Sequence, residues 1–434
     1  MTQTPIVIVG GGIAGLACAR TLYDAGRSFV MITERLGGRI YAESGMSWGA
    51  KYITKDYHEV RKFCDDGLAI RIRDVYFETV NGPFSLFRRG GLKNFPKLMN
   101  VLRDVACLRC ELLKFRKQAR GECQKHVLQD YPLIQRWMKL PAKDYVAQQG
   151  LCELHEKFIH PILRATFFVT VEEVNTLFYL SALFPTWVCA YEADFTETLS
   201  KLGQGFGNQI WYDRVMTIGQ EGGCFYVQTP KERFEAEAVV LATPVKVVEK
   251  LLTGVIPRVV PQRMQEVVLR TNPFGVYSEE PFHESSVCVL AVEGERKPIY
   301  EHARIVMTAR DEPVLCLWKN RDGSDTVYVK GSLSTSAADP SILENGKYET
   351  ELKPQFESLK KYYSNFKIRK AVHWRSAITI SGPSWHCLNP QENLFVIGDH
   401  NICGLEDSFL TGQYAANVLL HKAEPCLKKC EESL

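Results

Sequence analysis

The 434-residue sequence has no run of 18 or more apolar residues, so no membrane-spanning helix is expected. It has no surplus of one charge. Its 53 basic and 50 acidic side chains leave a net of +3, too little for the strongly basic face of a nucleic-acid binder. Internal repeats and low-complexity segments are also absent, which argues against solenoids and fibrous chains. Ahead of the first apolar strand, at Pro5–Ile6, there is no room for a signal peptide. The 14 cysteines are therefore read as reduced thiols of a cytoplasmic protein. With 45% apolar and 24% charged residues the composition is that of an ordinary globular chain. At roughly 100–200 residues per domain, it predicts two or three domains or one large interleaved one.

What is there starts at the N-terminus. Ile6-Val7-Ile8-Val9 is a continuous apolar, β-branched run and reads as a buried parallel strand. Gly10-Gly11-Gly12-Ile13-Ala14-Gly15 fits G-x-G-x-x-G, and a short helix from Leu16 to Ala25, stopped by Gly26, follows. Ser28–Thr33 reads as a second strand, and Glu34 ends it 19 residues after Gly15. Each part has a physical task. Gly10 permits the tight turn, Gly12 lets the backbone approach a pyrophosphate, and Gly15 lets helix and strand pack closely. The helix offers N–H groups and its positive dipole end to phosphates. Glu34 can accept hydrogen bonds from ribose hydroxyls, which disfavours a 2′-phosphate. The strand, glycines, helix and acid at this spacing make a dinucleotide site, but serve NAD and FAD alike.

The residues after Glu34 separate the two. Glu34-Arg35-Leu36-Gly37-Gly38-Arg39 resembles the glycine-glycine-arginine stretch of the flavin amine oxidase superfamily, with a shorter spacer after the acid. That superfamily includes monoamine and polyamine oxidases, protoporphyrinogen oxidase and phytoene-type desaturases. Ser47-Trp48-Gly49-Ala50-Lys51-Tyr52-Ile53 resembles its next segment, with Ser47 where the family has aspartate. Glu237–Thr243 followed by Pro244 resembles its alanine-threonine-proline strand. Asn393–Asp399 followed by Asp407–Leu420 resembles its C-terminal motif. Upstream, 214–218 and 224–229 alternate like the strands of a hairpin around Gly222-Gly223.

The resemblance implies FAD, held without a covalent bond, because Cys387 and Cys403 lack the family's covalent-attachment setting. It implies cofactor contacts from Gly10, Gly12, Ile13, Ala14, Gly15, Glu34, Arg35, Gly38 and Arg39. Val215 is expected beside the adenine, with Thr243 at the returning strand. Gly398 and Asp399 belong at the ribityl and pyrophosphate groups, although a turn or helix-cap aspartate is the alternative reading of Asp399. The last helix, near Ser408, Phe409 and Leu410, is expected to point its N–H groups at the flavin N1/O2 edge.

The expected fold is α/β: a Rossmann-type FAD-binding domain from 1–55, 205–250 and 373–434, with an interleaved α+β substrate domain from 56–204 and 251–372. Leu98, Val101, Leu102, Val105, Leu108, Leu112 and Phe115 recur at helical spacing, among basic residues from Lys93 to Arg120. Such a helix has two readings: a solvated face over an apolar core, or peripheral contact with an anionic membrane. Ser286–Val292 and Thr326–Val329 read as strands, and a helix is expected near 341–363. The family's lysine near the flavin is missing from Ser286–Val292, and Lys319 and Lys330 lie later. Trp374 and Tyr179 are candidate cavity residues. Tyr179 belongs to an aromatic group with Phe178, Phe184, Trp187 and Tyr191, with core packing as the equal alternative. His373 reads as structural. The five-residue spacing of His155 and His160 does not suit a metal pair, and Cys107, Cys110 and Cys123 read as thiols, so no metal is expected.

The expected activity is hydride removal from an amine or amino-acid C–N bond onto FAD, reoxidised by dioxygen or another acceptor, with a small molecule as partner. The alternatives are a desaturase, oxidase or isomerase of a hydrophobic polyene or porphyrinogen, and a flavin-binding protein without catalysis.

Overall fold

Ile6–Val9 and Ala238–Leu241 are buried on both faces, as the centre of a parallel sheet requires. In the computed structural model the described residues are 2–43, 46–79, 82–84, 95–187, 189–252, 283–309, 312–331, 351–382 and 385–425. There the two runs lie in β1 (Thr2–Gly12) and β13 (Arg233–Leu241), paired in parallel with Val7 opposite Val239. On one side β2 (Val30–Gly37) and β10 (Ile210–Tyr212) extend the sheet, also in parallel. On the other, the first half of β13 pairs antiparallel with β12 (Cys224–Gln228), which hairpins to β11 (Thr217–Glu221). The last residues of β13 pair in parallel with β19 (Leu394–Val396).

The helix after the glycine turn runs from Ile13 to Asp24, three residues longer at its start than the apolar pattern predicts. It packs on the C-terminal helix, Leu405–Leu419. Gly412 makes this possible, since a Cβ there would stand 2.1 Å from the Ala14 carbonyl oxygen.

A second sheet has the order β18-β14-β17-β16-β15-β7-β8. Its strands are β7 (Val75–Thr79), β8 (Gly82–Phe84), β14 (His283–Arg296), β15 (Ile305–Met307), β16 (Val314–Lys319), β17 (Asp325–Val329) and β18 (Tyr363–Ile380). Alternation along β14 sends Cys288, Leu290 and Val292 to one core, and Val287, Val289 and Ala291 to another. The second core also contains Trp48, from the segment that follows the glycine-arginine stretch. β18 runs on through position 373 toward the nucleotide-binding crevice. Two smaller pieces join the layers: the hairpin of β3 (Ala42–Glu43) with β4 (Met46–Ser47), and a sheet of β5 (Tyr52–Thr54), β9 (Ala190–Ala193) and β6 (Asp66–Ile70).

The helical layer is built on Phe95–Gln118. Leu98, Val101, Val105, Leu108, Leu112 and Phe115 form its buried stripe. Lys93 lies outside the described residues. So does most of the helix expected near 341–363, of which Lys353–Leu359 is described. Among the described residues no helix is long and apolar enough to cross a membrane. The cysteines depart from the expectation at one point: Cys387 is disulfide-bonded, while Cys18, Cys107 and Cys110 are among the free thiols.

Candidate cofactor and active site

The three fingerprint glycines are needed for different reasons. Gly10 has φ of 107°, and a Cβ there would stand 2.5 Å from the Ala242 carbonyl oxygen. At Gly15 a Cβ would come within 2.1 Å of the Gly10 carbonyl oxygen, so strand and helix depend on it. At Gly12 a Cβ would meet nothing within 4 Å. The protein's own packing does not require a glycine there; the open space suits a ligand. Gly12 is also the N-cap of helix Ile13–Asp24, whose first turn has no side-chain cap and no acid. Open space over uncapped N–H groups, Ile13, Ala14 and Gly15 among them, is a cradle that fits a pyrophosphate.

The carboxyl ends of β1, β13 and β19 carry Gly10, Thr243 and Gly398–Asp399, so segments far apart in sequence line one crevice. Asp399 is buried and accepts both prongs of the Arg39 guanidinium, at 2.5 and 2.6 Å, and the Thr379 N–H at 3.2 Å. Burial pushes its pKa up, but the Arg39 charge and these hydrogen bonds hold it at about 2. Arg39 keeps 31% of its side-chain surface, so this pair faces open space. The Thr243 carbonyl accepts from His400 Nε2 at 3.1 Å, while Thr243 Oγ1 is buried with no hydrogen-bond partner. Burial holds His400 toward its neutral form.

Glu34 stands exposed in a bulge of β2. Thr33 forms that bulge, since its hydroxyl accepts the Gly11 N–H at 3.0 Å and donates to the Arg35 carbonyl at 2.7 Å. The Arg35 side chain turns onto the rings of Tyr41 and Trp374, 4.5 and 4.9 Å from their centroids. A Cβ at Gly38 would stand 3.1 Å from the Gly12 Cα, and half-buried Val215 follows Asp213, whose N–H reaches the Thr33 carbonyl.

The C-terminal helix begins at Leu405. Its first-turn N–H groups therefore belong to Leu405, Glu406 and Asp407, while Ser408, Phe409 and Leu410 lie behind them, all buried. Arginines of helix Phe95–Gln118 and the residues just after it reach this region. Arg109 forks onto Asp56 at 2.5 and 2.7 Å, Arg116 onto Asp407, and Arg120 meets Glu59 at 2.9 Å. Arg116 thus ties the helical layer to the C-terminal helix, while Arg109 and Arg120 hold the 56–59 segment beside it.

Trp48, Trp318, Tyr328 and Trp374 come together on the inner face of the second sheet. Trp374 Nε1 donates to the Trp48 carbonyl at 2.7 Å, Tyr328 O–H to the Gly49 carbonyl at 2.7 Å, and Tyr52 stacks on Trp318. Lys51 enters the same region. Its Nζ donates to Thr326 Oγ1 at 2.7 Å and Asn320 Oδ1 at 3.1 Å. Burial lowers its pKa to about 8, against the opposing pull of Glu192. Lys319 instead points outward to the Glu301 carbonyl, and Lys330 is exposed. Tyr179 is core: fully buried among Tyr145 and His155 within the helical layer. Phe178 packs on Phe167, while the Trp187 side chain lies outside the described part.

The sequence matches the family described as FAD dependent oxidoreductase over residues 5–418. The chain belongs to the FAD-dependent oxidoreductase family.

Flavin-containing amine oxidase B of Sus scrofa is 23% identical over 347 residues, covering 69% of this chain and 62% of that one. The Cavia porcellus protein of the same name is 24% identical over 332 residues, with the same coverage. The chain thus spans less than two thirds of these relatives. Three solved structures share the fold. A putrescine oxidase triple mutant has a TM-score of 0.60 at 15% identity, covering 97% of this chain and 99% of its own. A fatty acid isomerase from P. acnes that produces CLA has 0.64 at 14%, covering 96% and 98%. A putative protoporphyrinogen oxidase from Exiguobacterium sp. 255-15 has 0.58 at 13%, covering 96% and 99%.

Within this family member, Lys51, Thr33 and the Arg116–Asp407 pair are site features that the sequence did not single out. Arg116 had a signal: it stands four residues after Leu112, on the buried stripe. Asp407 had none, since its partner is 291 positions away. Lys51 lay within the Ser47–Ile53 segment singled out for its resemblance, but its partners Asn320 and Thr326 come from the distant second sheet.

Proposed function

We propose that this protein oxidises the C–N bond of an amine or amino acid, using FAD held without a covalent link, with dioxygen or another acceptor taking the electrons on. The observation that carries this reading is the open Gly12 cradle beside an aromatic face that holds Lys51. Bound FAD supplies the two-electron acceptor. The chain's own residues do the rest. Trp48, Trp318, Tyr328 and Trp374 offer an apolar, water-excluding surface for a neutral amine. Lys51 Nζ, with a pKa of about 8, holds or releases a proton near neutral pH. The similarity to curated amine oxidases supports the same substrate class.

The apolar character of that face favours one second reading, a desaturase, oxidase or isomerase of a hydrophobic polyene or porphyrinogen. The anaerobic visible spectrum of the purified protein decides between them. Bleaching of the flavin band by a panel of primary and secondary amines supports the first reading. A band that stays oxidised with amines and bleaches with a lipid-soluble polyene or porphyrinogen supports the second. A band that no substrate bleaches supports a flavin-binding protein without catalysis. FAD found in the supernatant after acid precipitation supports non-covalent attachment.

A further inference from the structure

Glu406 and Asp407 sit buried in the first turn of the C-terminal helix, at its positive dipole end. The helix has no side-chain cap, because its N-cap residue is Gly404, and both carboxylates are engaged elsewhere. Glu406 accepts the backbone N–H groups of His58 and Glu59 at 2.8 Å and of Val60 at 3.1 Å. Asp407 accepts the Arg116 fork, Nε at 2.9 Å and Nη2 at 2.7 Å. Asp407 is fully buried and the Arg116 side chain keeps 10% of its surface. Burial works against the Arg116 charge, but Asp407 more than offsets it and the guanidinium stays protonated. The ring of Tyr57 lies 5.8 Å from that guanidinium. The first turn is therefore rich in acid by sequence, yet its Asp407 charge is neutralised from the helical layer.

We propose that Arg116 is a positioning residue of the flavin site: by neutralising Asp407 it leaves the positive end of the C-terminal helix open to the flavin's electronegative edge, so that a residue of the substrate domain sets the reduction potential of bound FAD. This rests on the proposed flavin site, with the C-terminal helix facing the flavin N1/O2 edge as the family resemblance implies. Without Arg116, a buried carboxylate opposes the negative charge gained on reduction. Without Asp407, an unpaired guanidinium favours that charge. The two changes therefore move the potential in opposite directions, which a mere structural clamp does not do.

The test is the midpoint potential of bound FAD in the full-length holoprotein, measured by equilibration with a reference dye. R116Q is expected to bind reduced FAD about tenfold less well relative to oxidised FAD. That ratio lowers the two-electron potential by about 30 mV. D407N is expected to raise the potential by a similar amount, R116K to keep the wild-type value, and R116Q/D407N to return toward it. Losing one partner of a buried pair is destabilising, so the near-isosteric D407N decides alone if R116Q does not fold. Potentials of R116Q and D407N that stay at the wild-type value, or that move the same way, overturn the proposal while leaving the flavin site intact. A wild-type protein that takes up no FAD overturns the flavin site itself, and this proposal with it.

Discussion

Arg39 and Asp399, 360 positions apart, meet in a two-pronged ion pair at the carboxyl ends of the central strands. The pair joins the glycine-arginine stretch that follows β2 to the Gly-Asp turn that follows β19. It gives the crevice a floor whose charges are fixed before any ligand arrives, as a preorganised site requires.

The Asp399 pKa is about 2, below its ordinary value. The stability this pair contributes is therefore complete above about pH 4 and lost as pH falls toward 2. D399N is expected to cost about 3 kcal/mol at pH 7, since it leaves Arg39 without its charge partner. Urea unfolding at pH 7 and pH 3 checks this: the gap between wild type and variant should narrow at the lower pH.

Gly12 and Gly15 are expected to separate ligand binding from folding. G12A should unfold within about 0.5 kcal/mol of wild type, because its methyl meets no protein atom. It should nevertheless bind FAD at least about tenfold more weakly, a loss of about 1.4 kcal/mol. G15A should lose about 1–3 kcal/mol of stability through its clash with the Gly10 carbonyl. Thermal melts paired with fluorescence titration of FAD distinguish the two.

Lys51 has a folded pKa of about 8, below its ordinary value of 10.5. Between those two values the folded chain binds fewer protons than the unfolded one, so this group makes stability rise with pH in that window. The rise amounts to about 3 kcal/mol at most. Unfolding free energies at pH 7.5 and 9.5 should show the difference between wild type and K51M shifting in favour of wild type at the higher pH.

Trp374 links β18 to the Trp48 carbonyl and carries the Arg35 guanidinium on its ring. W374F keeps an aromatic surface but leaves that buried carbonyl unpaired, at a cost of about 1–3 kcal/mol. Flavin reduction by a saturating amine in stopped flow should slow, while FAD affinity stays near the wild-type value.

The sequence by itself determined the nucleotide-binding half. Its signals are local: a β-branched run buried on both faces, glycines at fixed offsets, a helix and an acid follow one another within the first 34 residues. The heptad-like stripe of Leu98–Phe115 was legible for the same reason, because 3.6-residue periodicity is written along the chain. Gly15 could be assigned from spacing alone, since its close contact is with Gly10, five positions away.

Tertiary structure decided which charged groups are paired and which are open. The stripe position of Arg116 sets it apart from Arg103, which lies at the surface of the same helix, but nothing in the sequence names Asp407 as its partner. Tyr179 and Trp374 are both aromatic and both buried, yet one fills the helical core and the other packs on the inner face of the second sheet. Lys51 has a shifted pKa because a distant sheet covers it, and Asp399 because Arg39 returns to it from the other end of the chain. Desolvation and ion pairing depend on distances in space. Residues hundreds of positions apart set those distances only once the chain has folded.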